Sequence, residues 1–256
     1  PVTSIPVGRR GDVVLPLSAL CVGVALWWLL TAALSVPSYL LPSPAAVATQ
    51  LVENPALYLR SAAATVRTVV YGGSAGIAAG FVLGVLVGSS ATLRTALYPY
   101  LVAVRVLPKI AVAPILLIYL GTGTTTAVVF VALIAFFPLV LNTAAGLART
   151  PDRHAELLRS VDADPLETLL RVRLPYAVPD VFAGLKQSVT LSVVGAVVAE
   201  WVVASGGLGY LVLIGSENIR TDIVVAALLA LVAVGLALYG LTVGAQRLVR
   251  RRLPTR

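Results

Sequence analysis

The feature that most limits what this 256-residue sequence can become is the length of its apolar runs. Several approach twenty residues, and at about 1.5 Å of rise per residue such a run crosses a hydrocarbon core of about 30 Å. Lipid offers no partner to backbone N–H and C=O groups, so each run must satisfy them internally, as a helix. Six transmembrane spans are predicted: Val13–Leu34, Thr68–Gly88, Tyr98–Leu120, Thr125–Leu147, Leu185–Val203 and Ile223–Leu241. Only 12% of residues are charged, against about 25% in soluble domains, which excludes a soluble reading. The expected architecture is all-α, a single transmembrane domain over residues 13–256 behind a short cytoplasmic segment, residues 1–12. Val13–Leu34 exceeds the roughly 7–15 apolar residues of a signal peptide and ends in no small-residue cleavage pattern, so it is read as a retained helix.

The net charge of +8 would suggest a nucleic-acid surface in a soluble protein, but here the arginines concentrate in a few loops and one tail, and no nucleic-acid partner is expected. With the N-terminus inside, Arg9, Arg10, Arg94, Arg149, Arg153, Arg159, Arg171, Arg173, Arg247, Arg250, Arg251, Arg252 and Arg256 are cytoplasmic, and only Arg60, Arg67 and Arg220 lie outside. That bias places both termini in the cytoplasm and the chain in the plasma or inner membrane as a multi-pass protein, with lipid as an obligate partner. Cys21 is the single cysteine and His154 the single histidine, so neither a disulfide framework nor a metal cluster is expected. No nucleophile–base pair falls within the spans, and the phosphate-cradling pattern Gly-x-x-x-x-Gly-Lys-Ser/Thr is missing, so no catalytic residue and no cofactor is assigned to this chain.

Most of the remaining polar sequence is a cytoplasmic loop, residues 148–180, with two helix starts. Thr150-Pro151 offers an N-cap followed by proline, and Asp164-Pro165-Leu166-Glu167 adds a glutamate placed to close a capping box. Leu157, Leu158 and Val161 share one face of the first short helix, and Leu166, Leu169 and Leu170 one face of the second. These stripes must fold back onto the protein, lie in the lipid interface or enter a partner's groove.

The order Glu156-Leu157-Leu158, three residues, Asp162, nine residues, then Val172-Arg173-Leu174-Pro175 resembles the cytoplasmic coupling motif of ABC importer permeases, in which Glu-Ala-Ala, glycine and Leu-Pro recur at these offsets. Leu157 and Leu158 replace the alanines, and Asp162, followed by Ala163, replaces the glycine. Pro42-Ser43-Pro44, Leu107-Pro108-Lys109, Ala113-Pro114, Phe136-Phe137-Pro138, Asn142, Ala199-Glu200 and Gly206-Gly207-Leu208-Gly209 extend the likeness toward the nitrate/sulfonate/taurine branch of these permeases. The resemblance implies a type I importer permease fold. It also implies a dimer of ATPase subunits holding ATP and Mg, a second permease copy or paralogue, and an external substrate-binding protein. The coupling residues would be Glu156, Leu157, Leu158, Asp162, Ala163, Leu174 and Pro175. The cargo would be a small anion such as a sulfonate, taurine or nitrate, or alternatively a pyrimidine- or flavin-type vitamin or precursor.

Within the spans, Gly72, Gly76, Gly80, Gly84 and Gly88 recur every fourth residue, a stripe that lets two helices approach closely in lipid. Arg105 and Lys109, four apart in the third span, either line a path that attracts anions or reach the cytoplasmic headgroups, the reading that nearby Pro108 favours. Glu200 either pairs or shapes a gate at the outer end of the fifth span, or is a solvated helix-end carboxylate with Trp201 anchored in the interface. Trp27 and Trp28 are expected to pack or face lipid. The rival class, an ATP-independent secondary transporter or channel, predicts inverted repeat halves and carboxylates in mid-span, and the sequence presents neither.

Overall fold

The computed structural model describes residues 11–34, 36–150, 164–203 and 206–252. Each apolar run is helical. In chain order the helices are α1 (Gly11–Ala33), α2 (Pro44–Glu53), α3 (Pro55–Ser89), α4 (Ala91–Val106), α5 (Ala113–Leu120), α6 (Thr124–Ala148), α7 (Pro165–Thr168), α8 (Leu174–Val203), α9 (Leu208–Glu217) and α10 (Thr221–Arg252). Among the described residues there is no strand. Five helices or helical runs are long and apolar enough to cross a membrane: α1, α3, α6, Pro165–Val202 and α10.

The predicted third span is the main correction. Instead of one rod over Tyr98–Leu120, the chain is bent by 88° between α4 and the Lys109–Leu120 segment. Pro108 lacks the N–H that would continue the helix, and Leu107 before it takes the extended ψ of 134° that a following proline favours. A 3₁₀ turn, Lys109–Val112, restarts the chain in its new direction. Two other boundaries move. α3 begins at Pro55, not Thr68, because Pro55 stands at its first position and Ala- and Leu-rich sequence continues the helix. α8 begins at Leu174, not Leu185, and the stretch between the predicted fifth and sixth spans contains α9.

The core is α3, α6 and α8. α3 and α6 run parallel, and the glycine stripe is their seam. A Cβ added to Gly72, Gly76, Gly80, Gly84 or Gly88 would lie within 3.0 Å of the backbone of Val128, Ala132, Phe136, Val140 or Ala144 respectively. The partner advances four residues for every four on α3, so one register holds along the whole contact. The stripe is therefore a contact within this subunit. α8 closes the other side of α6 through Gly184, which faces Asn142 and the Pro138 carbonyl, and through Ser188, whose Oγ donates to the Ala135 carbonyl at 2.6 Å. Phe130, Val131, Leu139, Val140 and Leu147 of α6 are almost fully buried.

A second layer packs on this core. Val47 of α2, Tyr58 of α3, Leu208, Leu211 and Val212 of α9, and Ala226, Ala227 and Leu231 of α10 form one buried cluster. Its outer rim is pinned by Asp222, which accepts from Gln50 Nε2 at 2.8 Å and pairs with Arg220 at 2.8 Å. α1 lies outside both layers with its apolar side chains exposed. Trp27 ties it down by packing on the second layer and donating to the Pro42 carbonyl at 3.0 Å, while Trp28 faces outward.

Close approach at the seam leaves no room for a side chain. Gly76→Leu is expected to cost about 1–3 kcal/mol through overpacking. Gly235→Leu, where a Cβ meets nothing within 4 Å, is expected to be neutral. Thermal unfolding of both variants in detergent checks the contrast.

Candidate functional site

The cytoplasmic end is built by the helix ends that converge there. Arg149, just after α6, pairs with Asp180 of α8 at 2.8 Å, and Gly146 leaves the space that the Asp180 side chain fills. Arg173 Nη1 donates to the Ser89 carbonyl at 3.4 Å, holding the end of α3 beside the start of α8. Between α7 and α8 the backbone widens into a π turn, Leu169–Arg173, closed by the Leu174 N–H on the Leu169 carbonyl. Pro175 explains its position: a proline ring crowds the carbonyl four residues back and supplies no N–H, and a π turn accommodates both.

Of the predicted coupling residues, Leu174 and Pro175 begin α8, half-buried. Glu156, Leu157, Leu158, Asp162 and Ala163 lie outside the described residues. The second leucine stripe is visible: Leu166 and Leu170 are 58% and 54% exposed, so they do not fold back onto the described part of the chain. Asp164 stands at the N-cap of α7 without a side-chain capping bond. The expected capping box is replaced by an ion pair one turn along, Glu167 to Arg171 at 3.1 Å.

Arg105 and Lys109 flank the break after α4. Lys109 Nζ donates to the Arg105 carbonyl at 2.9 Å, satisfying one acceptor that the broken helix frees. The same ammonium lies 5.3 Å from the centroid of the Phe137 ring, within cation–π range. Phe137 is midway along α6, so the 88° turn sets Lys109 beside the middle of that helix. Neither cation has an ion-pair partner among the described residues.

Glu200 is 2% exposed, which removes the solvated reading. Its Oε2 accepts from the Gly209 N–H at 2.6 Å, and its buried Oε1 has no hydrogen-bond partner among the described residues. Thr65 Oγ1 accepts from the Leu208 N–H at 2.9 Å, and Trp201 Nε1 donates to the Gly209 carbonyl at 2.9 Å. Glu200 thus holds the first turn of α9 and pairs with no basic side chain among the described residues. Gly207 has a φ of +113°, and a Cβ there would strike the carboxylate; one on Gly209 would come within 2.8 Å of Oε2. Beside this cluster is a cavity of about 210 Å³, walled by Arg67 and Thr68 of α3, Gly123 and Thr124 at the start of α6, and Glu200 and Gly206. By the arginine distribution this is the outer side. Thr65 is not singled out by the sequence because it lies ahead of the predicted second span, Thr68–Gly88, and Arg67 reads there only as an outside charge.

The match to the family described as binding-protein-dependent transport system inner membrane component covers residues 76–254. The chain belongs to this family: it is a multi-pass permease of the ABC importer class. It is 37% identical over 222 residues to a probable ABC transporter permease protein of Haemophilus influenzae, covering 86% of this chain and 91% of that one. It is 33% identical over 184 residues to the formylaminopyrimidine transport permease ThiX of Halalkalibacterium halodurans, covering 72% and 74%. It is 27% identical over 258 residues to the taurine transport permease TauC of Escherichia coli, covering 97% and 91%. Among solved structures, an inward-facing conformation of the MetNI methionine ABC transporter shares the fold, with a TM-score of 0.66, 21% identity, and coverage of 78% of this chain and 97% of that one.

The Glu200 cluster depends on the bare backbone of Gly207. Gly207→Ala is expected to destabilise the domain by about 1–3 kcal/mol, from left-handed strain and the clash together. Gly206→Ala, with nothing within 4 Å, is expected to leave it unchanged. Melting temperatures of the two purified variants make the comparison.

Proposed function

We propose that the chain forms half of a solute path, paired with a second copy or close paralogue. At the cytoplasmic face it engages a dimer of ATPase subunits, and at the outer face it receives solute from an external binding protein. The observation supporting the ATPase contact is the pair of exposed leucines, Leu166 and Leu170, just ahead of α8. An apolar helix face presented to the cytoplasm suits a partner's groove, and the preceding Glu156–Ala163 segment carries the coupling spacing. ATP and Mg²⁺ react in the partner, since this sequence has no phosphate-cradling loop. Closure of the ATPase pair moves the attached helices and exposes the path alternately to each side.

The cargo is a small anion, an alkanesulfonate, taurine or nitrate. Arg105 and Lys109, without ion-pair partners among the described residues and at a break in a membrane helix, supply positive charge where water-facing cations favour anions. The relative TauC is named for taurine transport. The second reading, a vitamin precursor, is supported by the relative ThiX, named for formylaminopyrimidine transport, at higher identity.

Affinity purification of the chain in mild detergent is expected to recover a P-loop ATPase. Glu156→Ala or Leu158→Asp should reduce that recovery on the order of tenfold, the equivalent of about 1.4 kcal/mol of docking, while leaving the melting temperature of the permease unchanged. Undiminished recovery and undiminished uptake in both variants contradict the proposal. In reconstituted vesicles, Lys109→Gln should lower uptake of an anionic cargo by about fivefold to thirtyfold, roughly 1–2 kcal/mol of lost attraction, and leave uptake of a neutral one unaltered.

A further inference from the structure

α8 is an unbroken helix of 30 residues, about 45 Å long, whose first residues come directly after the coupling segment and whose last turn carries Glu200. Packing along α6 through Gly184, Ser188 and Gly195 stiffens it. Gly206 and Gly207, which lead into α9, carry no side chain to fix its direction. The first turn of α9 should therefore be free to drift with α10, on which it packs, were it not held by side chains from elsewhere.

Those side chains are Thr65, Glu200 and Trp201. A helix leaves its first N–H groups without intrahelical acceptors, and the N-cap of α9, Gly207, has no side chain to offer. The Leu208 N–H is met by Thr65 of α3 and the Gly209 N–H by Glu200 of α8, while Trp201 of α8 takes the Gly209 carbonyl. Both acceptors are fully buried, so separating them from α9 leaves buried polar groups unpaired. The carboxylate also suits the positive end of the α9 dipole. Gly206, immediately ahead, is a wall of the outer cavity, so wherever this turn is held, the cavity is shaped with it.

We propose that Glu200 is the positioning residue through which α8 carries the cytoplasmic stroke to the outer cavity, by fixing the first turn of α9 to its own end. The proposal rests on the importer reading. Under it, Glu200 has no direct part in binding cargo; it makes the Gly206–Gly209 turn move with α8 when the ATPases close.

The test uses the full complex in lipid nanodiscs, with Cys21 replaced by serine and a reporter cysteine at the cavity wall, Thr124→Cys. A membrane-impermeant maleimide labels it in the nucleotide-free and vanadate-trapped states. The parent reporter should label at rates differing by about tenfold between states. Glu200→Ala should bring the ratio to within about twofold of one while the ATPase still co-purifies, and Glu200→Gln, whose amide oxygen still accepts from Gly209, should restore it. A parent-like ratio in Glu200→Ala, or a loss in Glu200→Gln as complete as in alanine, overturns the proposal. If Glu200→Ala does not assemble, Thr65→Val, which removes the Leu208 acceptor at constant volume, decides: a reduced ratio supports the clasp and an unchanged one overturns it. Equal rates in both states of the parent reporter would instead defeat the importer reading, and this proposal with it.

Discussion

Everything else in the domain is arranged around the contact between α3 and α6. Two parallel helices in lipid gain little from burying apolar groups against each other, because lipid is equally apolar; close van der Waals contact has to hold them. Five glycines at four-residue spacing bring the backbone of α3 against that of α6, with the same register maintained from Gly72 to Gly88. That seam fixes the depth of α6, and α6 fixes α8 through Ser188 and Gly184. Both polar ends of the permease are then located by helices that cannot slide.

The seam was readable in the sequence because a stripe of small residues has a fixed period, although its partner was not. Membrane class and helix content were equally plain, since they follow from apolar length. What sequence reasoning lost were features set by tertiary neighbours. Residues 55–67 precede the predicted second span, and although Pro55 can start a helix, it is the packing of Tyr58 and the hold of Thr65 on α9 that join them to it as one element. The break at Pro108 was visible as a proline; the size of the bend, and hence the place of Lys109 over Phe137, was not. Glu200 posed the hardest case. A carboxylate next to Trp201 at the end of an apolar run reads as an interfacial pair, and its burial emerges only once α9 turns back over it.

The two ends differ in how they use polar groups. Among the described residues at the cytoplasmic end, the ion pairs Arg149–Asp180 and Glu167–Arg171 have exposed arginines and are individually weak, and Arg173 meets the Ser89 carbonyl at a long 3.4 Å. At the outer end the bonds from Thr65, Glu200 and Trp201 converge on a single helix turn, and the two acceptors among them are buried. Buried acceptors with one geometry make that junction stiff. The membrane domain joins an adaptable inner surface to an inflexible outer one.

The π turn at Leu169–Arg173 gives this arrangement a rotational setting. In a regular helix each residue advances the azimuth by about 100°, so one additional residue within a turn offsets everything before it from everything after it. The exposed face of Leu166 and Leu170 and the buried face of α8 belong to one nearly continuous helical run, yet they point in directions chosen by that single extra residue. The π turn thus serves as an indexing joint: it fixes the angle at which any partner gripping the leading helix applies torque to α8, independently of the sequence on either side.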